Sequence, residues 1–431
     1  MSSARLHATE SGRWFQLVLG FIAMMAISSP QYVWTLFVGP LGKHLGASLP
    51  ALQVTFLLLV VVQTFFSPLQ GFLVDRFGPR LLISLGVALT GLSWVLSATA
   101  SSLAQIYVAY GILGGLGTGI VYVGVIGVMV RWFPDRRGLA AGVAAAGYGF
   151  GAIATTFPIS AMLASAGYRE TLIVFGAIQG IVGVIAAQGL RLPGKTPAAA
   201  TGFKAILTPR NAGEQGGRDY APQEMLRTPI FWLLFAMMTM MSTSGLMVVA
   251  NIGPFAHDYG VATSLVWGLA ALPLSLTISR FTNGLTRPFF GWISDRIGRE
   301  VTMTLAFALE GAAIVVMLFF LSNPLLFVLL TGVVFFGWGE IFSLFPSTLT
   351  DIFGTKHATL NYGLLYIAQG LGSVLAGPVA AQLRVTSGSW VPVFVIVAVL
   401  DAVTALLAVA VLRPMRVRFM TQSLTIDARA A

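Results

Sequence analysis

Apolar positions along this chain come in long unbroken runs, without the three- and four-residue spacing of a helix that buries one face against a soluble core. A helix needs ~20 apolar residues to cross a bilayer. Twelve segments reach that length, at 14–40, 51–73, 81–100, 105–130, 139–164, 170–190, 230–256, 264–291, 302–321, 325–349, 360–382 and 390–412. A polar stretch at 191–228, with Lys195, Lys204, Arg210, Arg218 and Arg227 among Gly, Pro and Ala, parts them six and six. The pattern predicts an all-α polytopic membrane protein: an N-terminal six-helix bundle over 1–190, a linker over 191–228, and a C-terminal six-helix bundle with its tail over 229–431. The first 13 residues are polar and run straight into the apolar stretch from Trp14, with no small-residue cleavage pattern. That reads as a retained first helix.

Composition agrees. Hydrophobic residues make up 56% of 431 positions, charged residues 9%, and the mean hydropathy is +0.85. Soluble domains carry about 25% charged residues. With no cysteine, disulfides and thiolate metal sites are excluded. The net charge of +10 suggests a nucleic-acid partner only until it is mapped. With the N-terminus inside, 20 of the 25 Lys/Arg fall in cytoplasmic segments, Lys43, Arg169 and Arg384 fall outside, and Arg280 and Arg287 fall in a span. That asymmetry is the positive-inside signal for two cytoplasmic termini in a multi-pass protein of the cell inner membrane. The expected partners are the lipid bilayer and a small solute, with no nucleic acid, cofactor or metal, and a monomeric state.

The halves repeat. SPLQGFLVDRFGPR (67–80) aligns with RPFFGWISDRIGRE (287–300) at an offset of 220, matching Pro68 to Pro288, Gly71 to Gly291 and Asp75-Arg76 to Asp295-Arg296. Gly117 and Gly119 fall on Gly337 and Gly339, and Phe133 on Phe353; Gly149 and Gly151 fall on Gly370 and Gly372 at 221. Parallel six-helix repeats suit a secondary transporter with its site between them. The Gly-x-x-x-Asp-Arg-x-Gly-x-Arg loop after the second segment, echoed after the eighth, resembles the signature of the major facilitator superfamily, and the resemblance covers nearly the whole chain. It implies that Asp75, Arg76, Arg80, Asp295, Arg296 and Arg299 are gating-loop residues, the acids accepting charge-assisted bonds from neighbouring helix ends.

Arg287 breaks the repeat, because its counterpart is Ser67. Eight residues from Asp295, at 1.5 Å each, put it about 12 Å deep. A charge there is expensive and marks a substrate path, and a planar guanidinium fits a carboxylate. Arg280, two turns earlier on the same face, is a second anion contact, an outer gate, a structural partner for an acid or a snorkelling side chain. Glu340, 11 residues from Asp351 and about 16 Å deep, is a counter-ion or a protonatable coupling site. Glu310 and Asp401 sit at similar depth. The superfamily resemblance puts their helices at the periphery, where a structural role is expected. Tyr32, Trp34, Tyr122, Tyr148, Trp338, Phe342 and Tyr366 could form an aromatic cage for a small flat anion.

More narrowly, QYVWTL (31–36), RWFPDRRGLAAG (131–142), AAGYGFG (145–151), EMLRTPIFW (224–232), RPFFGWISDRIGR (287–299) and LFPSTLTDIFG (344–354) resemble the oxalate/formate antiporter family. The resemblance implies that Arg287 pairs with substrate carboxylate and that Tyr32, Tyr122, Trp338 and Tyr366 surround the anion. The family's oxalate carrier holds its second carboxylate with a lysine where this chain has Gln369. A dianion would lose several kcal/mol of compensation for its desolvation, so a monocarboxylate is favoured. The related monocarboxylate transporters place an aspartate four residues before the arginine; here it is Asn283, which cannot titrate. Proton coupling, if used, falls to Glu340, while anion exchange needs no such group.

Two other functions fit less well. A proton-coupled multidrug exporter would want cavity acids rather than an arginine, and a transport-like sensor would want an output surface that 191–228 does not show. An enzyme is not expected: His7, His44, His257 and His357 all lie in terminal or loop segments.

Overall fold

The computed structural model describes residues 3–193, 218–320 and 322–430, so most of the expected linker, with Lys195, Lys204 and Arg210, lies outside the described residues. Helix α1 (Ser3–Ala26) continues through short helices at Ser29–Tyr32 and Trp34–Leu45. Then α2 (Leu49–Phe65) and α3 (Ser67–Phe77) form one span bent by 50°. They are followed by α4 (Pro79–Ala98), α5 (Gly114–Trp132, entered through Leu103–Leu113) and α6 (Arg137–Gln188). At 52 residues α6 is two spans, reversing direction at Gly167, whose φ of 81° and ψ of 175° only glycine adopts without strain. The second half comprises α7 (Pro229–Asp258), α8 (Ala271–Ile297), α9 (Arg299–Phe319), α10 (Pro324–Trp338), α11 (Ile341–Phe353), α12 (Ala358–Ser387) and α13 (Val391–Leu407). A small hairpin, β1 (Leu265–Val266) and β2 (Leu269–Ala270), precedes α8. Trp267 (φ 51°) and Gly268 (φ 79°) form its two-residue turn.

Among the described residues, eight helices are long and apolar enough to cross a membrane, or nine with the bent α2–α3 pair. Counting α6 twice and adding α8 and α12, whose length suffices, gives the twelve spans expected. Side chains such as Phe319, Ile185 and Leu406 stay largely exposed on the outer faces, an apolar skin that hydrocarbon rather than water would cover. Arg13 pairs with Asp135 and Arg416 with Glu300, so both chain ends lie on the face that carries 75–80, 131–137, 295–300 and 351–360; we call it the terminal face.

Close glycine contacts join the halves there. A methyl at Gly138 would run into the carbonyl oxygen of Gly291, and one at Gly291 into that of Gly138. A methyl at Gly142 would meet the Arg287 carbonyl, one at Gly363 the Ser67 carbonyl, and one at Gly71 the Thr359 carbonyl. Gly142 and Gly363 are repeat partners, as are Arg287 and Ser67, so one backbone contact is made twice about a pseudo-two-fold axis. The close approach closes the terminal face.

Gly138→Val forces this contact apart at an overpacking cost of about 1–3 kcal/mol. Because the chain lacks cysteine, Ala358→Cys, which sits buried with Val130 and Ala141 across the contact, is a single-site reporter. Maleimide labelling of that cysteine is expected to rise severalfold in the Gly138→Val background.

Candidate functional site

Arg287 lies on α8 where that helix meets α6, and it is 1% exposed. Its Nη1 donates to the Ala145 carbonyl of α6 at 2.7 Å, and its Nη2 to Asn283 Oδ1 at 2.9 Å. Its Cζ stands 4.5 Å from the Phe342 ring centroid. Among the described residues no carboxylate comes within ion-pair distance. The repeat partner, Ser67, also donates across the halves, to the Gly363 carbonyl at 2.6 Å. The position therefore keeps its bridging role, and only here does the bridge carry charge.

A break between α10 and α11 sets the other wall. Gly339 packs so closely on Asn283 and Thr286 of α8 that no side chain would fit, and Thr286 donates to the Phe336 carbonyl. The chain restarts at Glu340, whose carbonyl accepts from the Ser343 and Leu344 amides at 2.8 Å each. The restart turns Phe342 under Arg287.

The aromatic side chains meet as a continuous set spanning both halves. Tyr32 stands edge-on to Tyr148 at 5.3 Å, Tyr148 to Tyr122 at 5.4 Å, and Tyr122 to Phe342 at 6.1 Å. Tyr122 also stacks on Tyr366 at 4.9 Å, and Trp338 meets Phe342 at 5.8 Å. Polar neighbours hold the hydroxyls: Tyr148 donates to Gln31 at 2.5 Å, and Gln63 donates to the Tyr366 oxygen at 3.1 Å. Trp338 Nε1 donates to the Met241 carbonyl at 2.9 Å. Trp34 is apart from this set; it packs on Tyr110 at 4.6 Å in a separate apolar cluster of the first half. Tyr362, which sequence reasoning missed, joins through Tyr366 at 5.6 Å, and its hydroxyl lies beside that of Tyr122. Its signal was the one-turn spacing from Tyr366.

Glu340 is fully buried, among the described residues its carboxyl oxygens have no hydrogen-bond partner, and it lies within electrostatic reach of Asp401 and of Arg287 without pairing with either. Glu310 and Asp401 are also fully buried and lie within electrostatic reach of Glu340: Ser244 donates to Asp401, Gly311 packs on Asp401, and Gly337 packs on Glu310. Among the described residues the buried Gln369 Oε1 has no hydrogen-bond partner. Arg280 is half-buried, with Tyr32 within electrostatic reach.

Beneath the rings, the terminal face is pinned by charge. Asp295 accepts from the Gly138 and Leu139 amides at 3.0 and 2.9 Å and pairs with Arg299 at 2.6 Å. Asp75, its repeat partner, accepts from the Leu360 amide at 3.2 Å and pairs with Arg131 at 2.5 Å. Asp351 binds Arg137 at 2.7 Å and Arg299 at 2.9 Å, tying the halves together. Arg76, Arg80 and Arg296 are exposed and outside this network; Arg296 lies over Trp292 at 3.7 Å, and Arg76 beside Phe72 and Phe77. Sequence reasoning missed Arg131, Arg137 and Asp351 as partners. The signal was present, because 131 and 351 are repeat positions of opposite charge. It also missed Asp219, which accepts from the Thr355 and Lys356 amides at 2.8 and 3.0 Å, in the loop whose Thr355 carbonyl receives Arg131 at 2.9 Å.

The hydrogen bonds between halves run from the rings to the terminal face. Among the described residues none forms on the far side, so this conformation is closed below the rings and unpinned above them. On the far side Asp258 accepts from Arg384 at 2.8 Å and from Trp390 at 2.7 Å, which holds its carboxyl below the usual carboxylate value.

A family model described as the Major Facilitator Superfamily matches residues 17–281 and 240–424. The chain is 36% identical over 403 residues to the oxalate:formate antiporter of Oxalobacter formigenes, covering 93% of this chain and 91% of that one. It is 25% identical to monocarboxylate transporter 13 of Bos taurus, covering 80% and 77%. Among solved structures, the proton:xylose symporter XylE superposes with a TM-score of 0.70 at 15% identity, over 93% of this chain and 95% of that chain. FucP in the outward conformation gives 0.62 at 16%, over 91% and 98%.

Asp351→Asn leaves Arg137 buried without its acid and Arg299 with Asp295 alone, and breaking a buried pair costs about 3–5 kcal/mol. The thermal unfolding midpoint is expected to drop by several degrees and Ala358→Cys labelling to rise. Arg296→Gln, outside the network, should leave both unchanged.

Proposed function

The chain belongs to the major facilitator superfamily, and from that premise we propose that it carries small organic carboxylates by alternating access, exchanging one anion for another, with a monocarboxylate favoured over oxalate. Residues 1–190 and 229–431 are the moving bundles and 191–228 the tie between them. The terminal face is cytoplasmic by the positive-inside rule, and the membrane is the bacterial inner membrane, as the Oxalobacter relative suggests.

The observation that carries this reading is the Arg287 guanidinium, permanently charged, buried at the joint of the bundles, and met by a carbonyl and an amide instead of a carboxylate. An arriving carboxylate offers two anionic oxygens to a fork whose bonds to Ala145 and Asn283 are neutral and weaker. Binding it would release the Ala145 bond, which joins the bundles, so substrate capture and loosening of the closed face become one event. The rings exclude water and favour a flat anion by their edges. Gln369 supplies no second positive charge, which supports a monoanion.

An empty carrier must reorient with Arg287 uncompensated. A lone arginine at mid-bilayer costs about 2.5–3.5 kcal/mol on insertion scales, so the loaded carrier moves more readily and exchange results. One observation favours a second reading, proton symport through Glu340: among the described residues both carboxyl oxygens are buried and unpartnered, within electrostatic reach of Asp401 and of Arg287.

The test is a panel of labelled oxalate, formate, lactate, pyruvate and malonate in proteoliposomes, with and without a pH gradient. Lactate or pyruvate counterflow should exceed oxalate counterflow. Arg287→Gln removes a charged hydrogen bond worth about 1.5–3 kcal/mol and should cut counterflow roughly 10- to 150-fold. Exchange predicts no uptake driven by a pH gradient and a working Glu340→Gln. Gradient-driven uptake that Glu340→Gln abolishes establishes symport instead.

A further inference from the structure

Arg280 is the second intramembrane cation, and nothing in the exchange account uses it. It stands seven residues before Arg287 on α8, two turns and about 10 Å along the axis, on the unpinned side of the rings. Gly284, between the two arginines, packs on Phe150, so this face of α8 looks onto the first bundle. Arg280 is half-buried, and among the described residues it forms no hydrogen bond or ion pair. Asp258, an acid on that side, is already engaged by Arg384 and Trp390. Tyr32 is the group within electrostatic reach, and its ring opens the row of edges through Tyr148 and Tyr122 toward Phe342 and Arg287.

A purely structural arginine at this depth should have an acid or carbonyl to satisfy it. One left unpaired and half-open to the entry side instead raises the local concentration of anions. We propose that Arg280, with the Tyr32 hydroxyl, forms an outer carboxylate subsite, where the anion is captured before it passes along the tyrosine edges to Arg287. This rests on the carboxylate reading above and adds an entry step to it. The subsite shapes affinity from the outer side, while the rate of reorientation stays with Arg287.

The test measures initial rates of labelled lactate uptake into lactate-loaded proteoliposomes, at low and high ionic strength. In the wild type the external KM should rise with salt, since about 8 Å of screening at physiological strength reaches a half-exposed charge. Arg280→Gln should raise the external KM about tenfold at low salt, leave the maximal rate within about twofold, and flatten the salt dependence. The KM for internal lactate should not move. Arg280→Lys, which keeps the charge, should keep the salt dependence. In a second variant, Arg280→Cys modified by a cationic methanethiosulfonate should recover a low external KM, and an anionic reagent should raise it further. The subsite is overturned if Arg280→Gln keeps the wild-type KM and salt dependence, if it lowers the maximal rate at unchanged KM, or if the two reagents act alike. A wild type that exchanges none of the carboxylates overturns the functional reading and this inference together. A wild type that exchanges lactate beside an indifferent Arg280→Gln overturns the inference alone.

Discussion

A positive charge without a negative partner governs this structure. Arg287 cannot lose its proton, is almost fully buried, and satisfies its Nη atoms with the Ala145 carbonyl and the Asn283 amide oxygen. The neighbouring features serve that arrangement. Gly142 lets α6 approach until its backbone touches that of Arg287, which brings the Ala145 carbonyl within reach. The α10–α11 break at Gly339 presses on α8 beside Asn283 and brings Phe342 under the guanidinium. The same residue thus carries the charge and closes one route through the protein.

The two halves show what was kept and what was changed. Asp75 and Asp295 each cap the backbone at the start of the opposite half's helix, at Leu360 and Leu139, which are themselves repeat partners. Ser67 and Arg287 each donate to a carbonyl of the opposing helix. Departures from symmetry are departures in charge. The position of Ser67 is an arginine in the second half, and position 131/351 inverts from arginine to aspartate, so that one side is held across the halves by carbonyls and the other by the Arg137–Asp351–Arg299 triad. A symmetric scaffold supplies two equivalent ways of closing, and the asymmetric charges let a ligand act on one of them.

Much of this was readable from residue order alone, for definite reasons. Apolar runs of bilayer length and a 220-residue offset are strong signals, so the spans and the repeat could be placed without coordinates. Arg287 announced itself because charge is rare at that depth, and Tyr32, Tyr122, Tyr148, Phe342 and Tyr366 come together as a linked set. Pairings between distant segments were hardly readable, the opposite charges at repeat positions 131 and 351 being the one signal. Nothing local distinguishes Arg131, which reaches Asp75 and the 355 carbonyl, from Arg76, which faces outward beside Phe72. Trp34 and Trp338 look alike in composition, yet helix rotation sends the first to Tyr110 and the second to Phe342. Glu340 sits near Arg287 in depth but makes no pair with it, a matter of side-chain direction that spacing does not encode.

The central claim is that the uncompensated Arg287 holds the empty carrier back and that a bound carboxylate releases it. Efflux of labelled lactate from wild-type proteoliposomes, into medium with or without saturating unlabelled lactate, tests this directly. The account predicts efflux at least about tenfold faster into lactate-containing medium, the factor equivalent to about 1.4 kcal/mol of barrier. Equal efflux into both media would mean that the empty carrier returns as readily as the loaded one, and would contradict it.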